Sequence, residues 1–292
     1  MPRKSEKSQP SGRAATSTKP IGAGPLARWL TICFVKMRNQ TYIRRVWKRP
    51  PGLLTVFGRC IKVYPFENLA EAHAMQFVAQ QTSIPVPKVH CAFVQNGKTY
   101  IVMDRIDGQM VGRGWQSRSY ESKKRILDQL RGMVNELRSI RRVPESTVVS
   151  GVEGGPFCDP RLPSTLFWGP FATIRDFHQA LVNNIDFQVA NSDSMGPEYS
   201  DLNDLFAFYR QSPETLVFTH GDLSWRNIMV NGDDVVGIID WETSGWLPPY
   251  WEYTCAKMVT YNAFSDEEID MYVEPMPCEL EMDNIRQKYF GF

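Results

Sequence analysis

Between residues 54 and 63, short apolar stretches alternate with polar positions and end in Cys60-Ile61-Lys62-Val63, which predicts strand. Two further β-prone runs, 89 to 94 and 99 to 103, flank Gln95-Asn96-Gly97-Lys98. Asn-Gly tolerates positive φ at both positions, so this segment predicts a hairpin. Between these strands Leu69, Ala72, Met75 and Val78 recur at helical spacing behind Asn68. That helix must stop before Ser83-Ile84-Pro85-Val86-Pro87, because a residue preceding proline is driven out of the helical region. After Asp107-Gly108 the period lengthens to that of amphipathic helices: residues 122 to 140 place Ile126, Leu130, Met133, Leu137 and Ile140 on one face. Similar patterns occupy 174 to 187 and 202 to 209. The exception is 216 to 240, where an apolar strand runs into His220-Gly221-Asp222 and a second hairpin turns at Asn231-Gly232-Asp233-Asp234. There is no internal repeat and no sustained heptad.

Composition changes this picture little, and charge changes it more. With 292 residues, 42% hydrophobic and 22% charged, the chain reads as an ordinary globular protein of about two domains. Its best apolar run, 29 to 35, is bounded by Arg28 and Lys36 and is far short of the ~20 residues that cross a bilayer. The net charge of +1 conceals a division: residues 1 to 50 hold twelve Lys/Arg against Glu6 alone, and residues 233 to 292 hold thirteen Asp/Glu against three bases. Six cysteines without a C-x-x-C pair, and no apolar leader, point to a reducing, cytoplasmic setting. Residues 1 to 24, basic and interrupted by Pro2, Pro10 and Pro20, read as a disordered tail in preference to a targeting peptide.

The candidate chemistry lies in His220-Gly221-Asp222-Leu223-Ser224-Trp225-Arg226-Asn227 and in the hairpin that ends at Asp240. The hairpin returns Asp240 to the end where Asp222 and Asn227 lie. Phosphoryl transfer from a nucleotide needs a group that takes the attacking hydroxyl's proton, and oxygen ligands for the Mg²⁺ that bridges the phosphates. Asp222 suits the first task, Asn227 and Asp240 the second. Protein kinases space these groups as H-R-D-x-x-x-x-N followed by the Asp of D-F-G; here the Asp-to-Asn spacing is the same, with Gly221 in place of Arg.

This segment, together with Glu71-Ala72-His73-Ala74-Met75 and the run from Thr82 through Ser83-Ile84-Pro85-Val86-Pro87-Lys88-Val89, resembles the aminoglycoside phosphotransferase and choline kinase-like family, its fungal branch in particular. The resemblance runs from about residue 43 to 290. It implies a two-lobed, protein kinase-like α+β fold: a nucleotide-binding lobe over 25 to 105 with a small antiparallel sheet, and a mainly helical lobe over 106 to 292. It further implies Asp222 as catalytic base, Asn227 and Asp240 as Mg²⁺ ligands, Lys62 on the ATP phosphates and Glu71 holding Lys62. Adenine would lie against Met103, Asp104 and Arg105. The implied reaction moves the γ-phosphoryl group to a hydroxyl of a small molecule, with no role for nucleic acid.

Several residues have a second reading. With Asn68 as N-cap, Glu71 occupies the third helical position of a capping box. Lys62 reads equally as a solvent-facing strand lysine, and His220 as a residue that orders its loop. The first hairpin lacks a G-x-G-x-x-G, having only Gly52 and Gly58, and Trp225 stands where a proline or small residue is expected. These departures leave a catalytically silent nucleotide-binding or scaffold protein as the alternative. Glu242 and Glu252 bracket Trp246, Tyr250, Trp251 and Tyr253, which suggests acidic and aromatic surroundings for a cationic acceptor such as an amino alcohol or amino sugar. The competing reading makes these aromatics core and Asp266 to Asp270 the capped start of a helix at Ser265.

Overall fold

The computed structural model describes residues 19–38, 40, 53–142, 146–162, 166–189, 199–258 and 263–291. Most of the expected N-terminal tail, residues 1–18, and Gly52 lie outside the described residues. The first lobe is a four-stranded antiparallel sheet in the order β1-β2-β4-β3, made of β1 (Leu53–Val56), β2 (Arg59–Tyr64), β3 (Val89–Gln95) and β4 (Lys98–Asp104). The hairpin expected at Asn96-Gly97 forms, and a second tight turn at Phe57-Gly58 divides the 54 to 63 run into two strands. Asn96 and Gly97 take φ of 51° and 73° between β3 and β4, and Phe57 and Gly58 take 43° and 74° between β1 and β2. Ile21 already bridges to Ala92 of β3.

Alternation along these strands gives the sheet two covered faces. Ile61, Cys91, Phe93 and Tyr100 pack under α1 (Pro25–Arg38), while Cys60, Ala92, Ile101 and Met103 join the main core beneath α2 (Ala70–Gln81). Lys62 follows Ile61 and therefore faces the cleft side, away from α1.

The second lobe is mainly helical. A short strand β5 (Gln109–Met110) leads into α3 (Tyr120–Ser139), whose Ser119 cap accepts from Ser122 N and whose buried stripe is Ile126, Leu127, Leu130, Val134 and Leu137. A two-stranded ladder, β6 (Phe157–Cys158) and β7 (Phe167–Trp168), precedes α4 (Ile174–Leu181) and α5 (Asp201–Gln211). The helix expected over 174 to 187 stops at Leu181 because Asn183 and Asn184 adopt left-handed φ of 55° and 62°. Asparagine is one of the few side chains that tolerates that region. Next come β8 (Val217–Thr219), the hairpin β9 (Ile228–Asn231) and β10 (Asp234–Ile238), and β11 (Gly245–Leu247), which pairs with β8. Helices α6 (Tyr250–Met258), α7 (Asp266–Tyr272) and α8 (Pro277–Phe290) close the lobe. The Ser265–Glu268 capping box opens α7 as the capped-helix reading expected. Among the described residues no helix is long and apolar enough to cross a membrane.

Candidate active site

Three short segments of the second lobe meet one strand and one helix of the first. Val217–Thr219 delivers the chain to His220, which is fully buried. Its Nδ1 accepts from Asp222 N at 3.1 Å, and its Nε2 lies 3.1 Å from the Ile239 carbonyl. A ring nitrogen that accepts carries no proton, so Nε2 is the nitrogen that donates to that carbonyl. His220 thus staples the loop to the strand that ends at Asp240. Gly221 has φ of 80°, and a Cβ there would meet the Thr243 carbonyl oxygen at 2.8 Å; an arginine in the manner of protein kinases cannot occupy this position. Beneath the loop, the buried Glu252 carboxylate accepts from the backbone N–H of His220 at 2.7 Å, Gly221 at 3.2 Å and Leu223 at 3.4 Å.

Asn227 Nδ2 donates to both the carbonyl and Oδ2 of Asp222, each at 2.9 Å. Its own Oδ1 is therefore left to accept a cation. Burial raises the Asp222 carboxyl above the ordinary carboxylate range, while His220, Arg161 and the Asn227 hydrogen bond work against that rise. A base whose affinity for protons is raised in this way is suited to take one from an alcohol. Asp240, at φ 68° and ψ 59°, closes the β9–β10 hairpin and starts a short 3-10 turn over Trp241–Thr243.

Across the cleft, Lys62 Nζ donates to Glu71 Oε1 at 2.9 Å and to Asp240 Oδ1, and lies 3.7 Å from Glu242 Oε2. Burial by itself would lower the lysine pKa, yet Glu71, Asp240 and Glu242 more than reverse it and hold the ammonium charged. Glu71 is buried, which raises its pKa, and Lys62 opposes the rise. The two readings of Glu71 are thereby separated: its carboxylate reaches Lys62 and Tyr64, whereas the cap position of α2 falls at Leu69, which makes no side-chain capping bond, and the expected cap Asn68 only accepts from Ala70 N in the preceding turn, at 2.7 Å. Lys62 is not a solvent-facing lysine. The expected adenine segment lies at the junction of the lobes. Met103 pairs with Cys60 and Val89, Asp104 holds His90 at 2.6 Å, and Arg105 N donates to the Gly58 carbonyl at 2.9 Å.

Trp225 leaves the loop intact. Its ring lies on Gly112, where a Cβ would meet Cε3 at 2.3 Å, and Arg226 covers it at 5.1 Å. The turn beside it is regular, with Ser224 N donating to the Asp222 carbonyl and Asn227 N to the Ser224 carbonyl.

The acidic and aromatic set expected around an acceptor is dispersed. Trp246, Tyr250, Trp251 and Tyr253 are core residues, Glu252 carries the loop backbone, and Glu242 turns toward Lys62 and Tyr64. The residue found instead beside Asp222 is Arg161, gripped by the buried Asp159 through Nε at 2.8 Å and Nη2 at 2.6 Å, and bonded to the Gly221 carbonyl. Asp-Pro-Arg at 159 to 161 is the only sequence trace of this clamp. Tyr64, whose hydroxyl meets Glu71 and Glu242, was equally hidden; its period-two relation to Lys62 is the signal that places both on one face.

Two lobes, with a charged Lys–Glu pair on the sheet of one facing an Asp/Asn/Asp set around a hairpin of the other, match the arrangement of protein kinase-like phosphotransferases. The chain belongs to the phosphotransferase enzyme family, whose profile matches residues 38–274. It is a small-molecule kinase by that membership. Its fold is similar to that of an aminoglycoside phosphotransferase, APH(4)-Ia, solved in ternary complex with ADP and hygromycin B: the TM-score is 0.57 at 15% identity, over 85% of this chain and 88% of that one. It is also similar to an aminoglycoside-3'-phosphotransferase of type VIII, with a TM-score of 0.50 at 16% identity over 85% and 97% of the two chains. No curated protein sequence matches significantly.

Proposed function

We propose that the protein transfers the γ-phosphoryl group of ATP, with Mg²⁺, to a hydroxyl of a small molecule in the cleft between the lobes. One observation carries this reading: Asp222, Asn227 and Asp240 converge from two ends of one hairpin and stand opposite Lys62. The donor set suits Mg²⁺, which prefers hard oxygen ligands. Asp240 brings a carboxylate, and Asn227 brings an amide oxygen whose partner nitrogen is already engaged. When bound there, the metal neutralises phosphate charge. Lys62, kept charged by Glu71, would draw the phosphates toward the sheet. Asp222 would orient the acceptor hydroxyl and take its proton as that oxygen bonds to phosphorus and ADP departs. Adenine would lie against the segment from Met103 to Arg105.

For the acceptor, an amino sugar or amino alcohol is the class to test first. The support is the hygromycin B bound by the structurally similar enzyme, since the aromatic residues once expected to line the pocket are core. A screen of hydroxylated compounds, each with its amine analogue, read by ADP release from Mg²⁺-ATP, tests the reaction and the acceptor charge together. With an acceptor in hand, Asp222→Asn should lower turnover by a factor on the order of 10² or more while nucleotide still binds. Near-normal turnover in that variant refutes the base. Nucleotide binding without turnover on any compound favours the silent nucleotide-binding protein.

A further inference from the structure

Helix α1 has two apolar faces. One, built on Val35 with Ala27, Ile32 and Phe34, packs on the outer side of the first-lobe sheet. The other consists of Leu26, Trp29, Leu30, Cys33 and Met37, at intervals of three, four, seven and eleven residues from Leu26, which puts all five within one stripe of the helix. That stripe faces outward: Leu26 is 68% exposed, Trp29 61%, Leu30 52% and Met37 49%, and Cys33 is exposed as well. A helix lying on a protein surface normally turns a polar face to water. Here the stripe contains none, and Lys36 stands at its border. Contiguous exposed apolar surface of this kind marks a contact site.

The electrostatics select the occupant. Residues 1 to 50, which contain the helix, carry twelve Lys/Arg and the single acid Glu6. Two copies of the chain meeting through this face would bring together two helices flanked on both sides by basic sequence, so charge disfavours self-association. A nucleic acid would satisfy the charge and leave the apolar stripe in water. A layer of anions above an apolar interior satisfies both. Trp29 and Lys36 are the residue types that settle at such a boundary, a ring with a polar edge and an ammonium on a flexible stem. We propose that the outer face of α1 is a docking surface for an anionic lipid bilayer, on which the protein rests peripherally without spanning it. Because α1 covers the side of the sheet opposite Lys62, the cleft stays open to water when the protein is docked.

The test uses the full chain and vesicles of phosphatidylcholine with or without roughly one-third phosphatidylserine. The wild type should sediment with the anionic vesicles, bind the neutral ones far more weakly, and be released as salt screens the charges. The double substitution Leu26→Gln, Leu30→Gln should lower partitioning by about tenfold or more and leave the melting temperature close to that of the wild type, since neither side chain contacts the sheet. If that variant folds poorly, Trp29→Phe provides a second reading: the difference in emission between wild type and variant should shift to the blue on anionic vesicles. Failure to bind anionic vesicles overturns the proposal, as does binding unchanged by the double substitution. Light scattering that shows a dimer, dissociated by the same substitutions, assigns the face to a second copy and also overturns it.

Discussion

Single side chains here act through what burial does to their charge. His178 in α4 is fully enclosed, stacked on Tyr209 with ring centroids 4.1 Å apart, and its Nε2 lies 2.8 Å from the Tyr250 hydroxyl. Burial pushes its pKa from an ordinary 6.5 down to about 3. In the unfolded chain this ring takes a proton below about pH 6.5 that the folded protein refuses, so its contribution to stability is complete above that pH. It drains away as the pH falls toward 3. Over the whole window the effect is on the order of several kcal/mol. Urea denaturation at a series of pH values should show stability falling on acidification from pH 6.5, with a clearly shallower fall in His178→Phe. Equal slopes would mean that other groups govern the acid limb. Nothing local in Asp176-Phe177-His178-Gln179 distinguishes this histidine from a surface one; only the neighbours brought by α5 and α6 do so.

At the level of elements, the loop from His220 to Asn227 is held by contacts made from below and from the side. Glu252 of α6 binds three of its backbone N–H groups, and Gly112 gives the Trp225 ring its place. Gly112→Ala should therefore push a rigid ring into the loop, cost about 1–3 kcal/mol and lower turnover. Adding Trp225→Ala removes the clash, so the double variant should be less damaged than the sum of the two single ones. Strict additivity in that cycle would show that the ring and the glycine do not meet. The loop's order of residues was legible from the sequence, as was its hairpin. Its support was not, because Glu252 sits among aromatics in a run that reads equally well as an acidic, aromatic acceptor wall. Thirty-two residues separate Glu252 from the His220 N–H it binds, and no local pattern announces such a pairing.

Across the whole molecule, Lys62 with Asp240, 178 residues apart in the chain, is one of the contacts that join the lobes. A ligand held by residues of both lobes binds only the folded protein and stabilises it by mass action, by about 2.7 kcal/mol at a hundred times its dissociation constant. Mg²⁺-ATP should accordingly raise the melting temperature, and Asp240→Ala should remove most of that rise. A shift of full size in the variant would take Asp240 out of the nucleotide site.

Strand and helix were readable along most of the chain because side-chain period and turn chemistry are local properties: Asn96-Gly97 and the stripe on α3 carry their own instructions. That Asp222, Asn227 and Asp240 come together was readable for a related reason, since Asp222 and Asn227 are held by loop spacing and Asp240 by one hairpin. Glu71 had two sufficient local explanations, and only the arrival of Lys62 and Tyr64 on a neighbouring strand decided between them. Helix α1 is the opposite case. Its apolar run from 29 to 35 gave no period that distinguished the face on the sheet from the face turned outward, and that division exists only once the sheet is there to cover one of them.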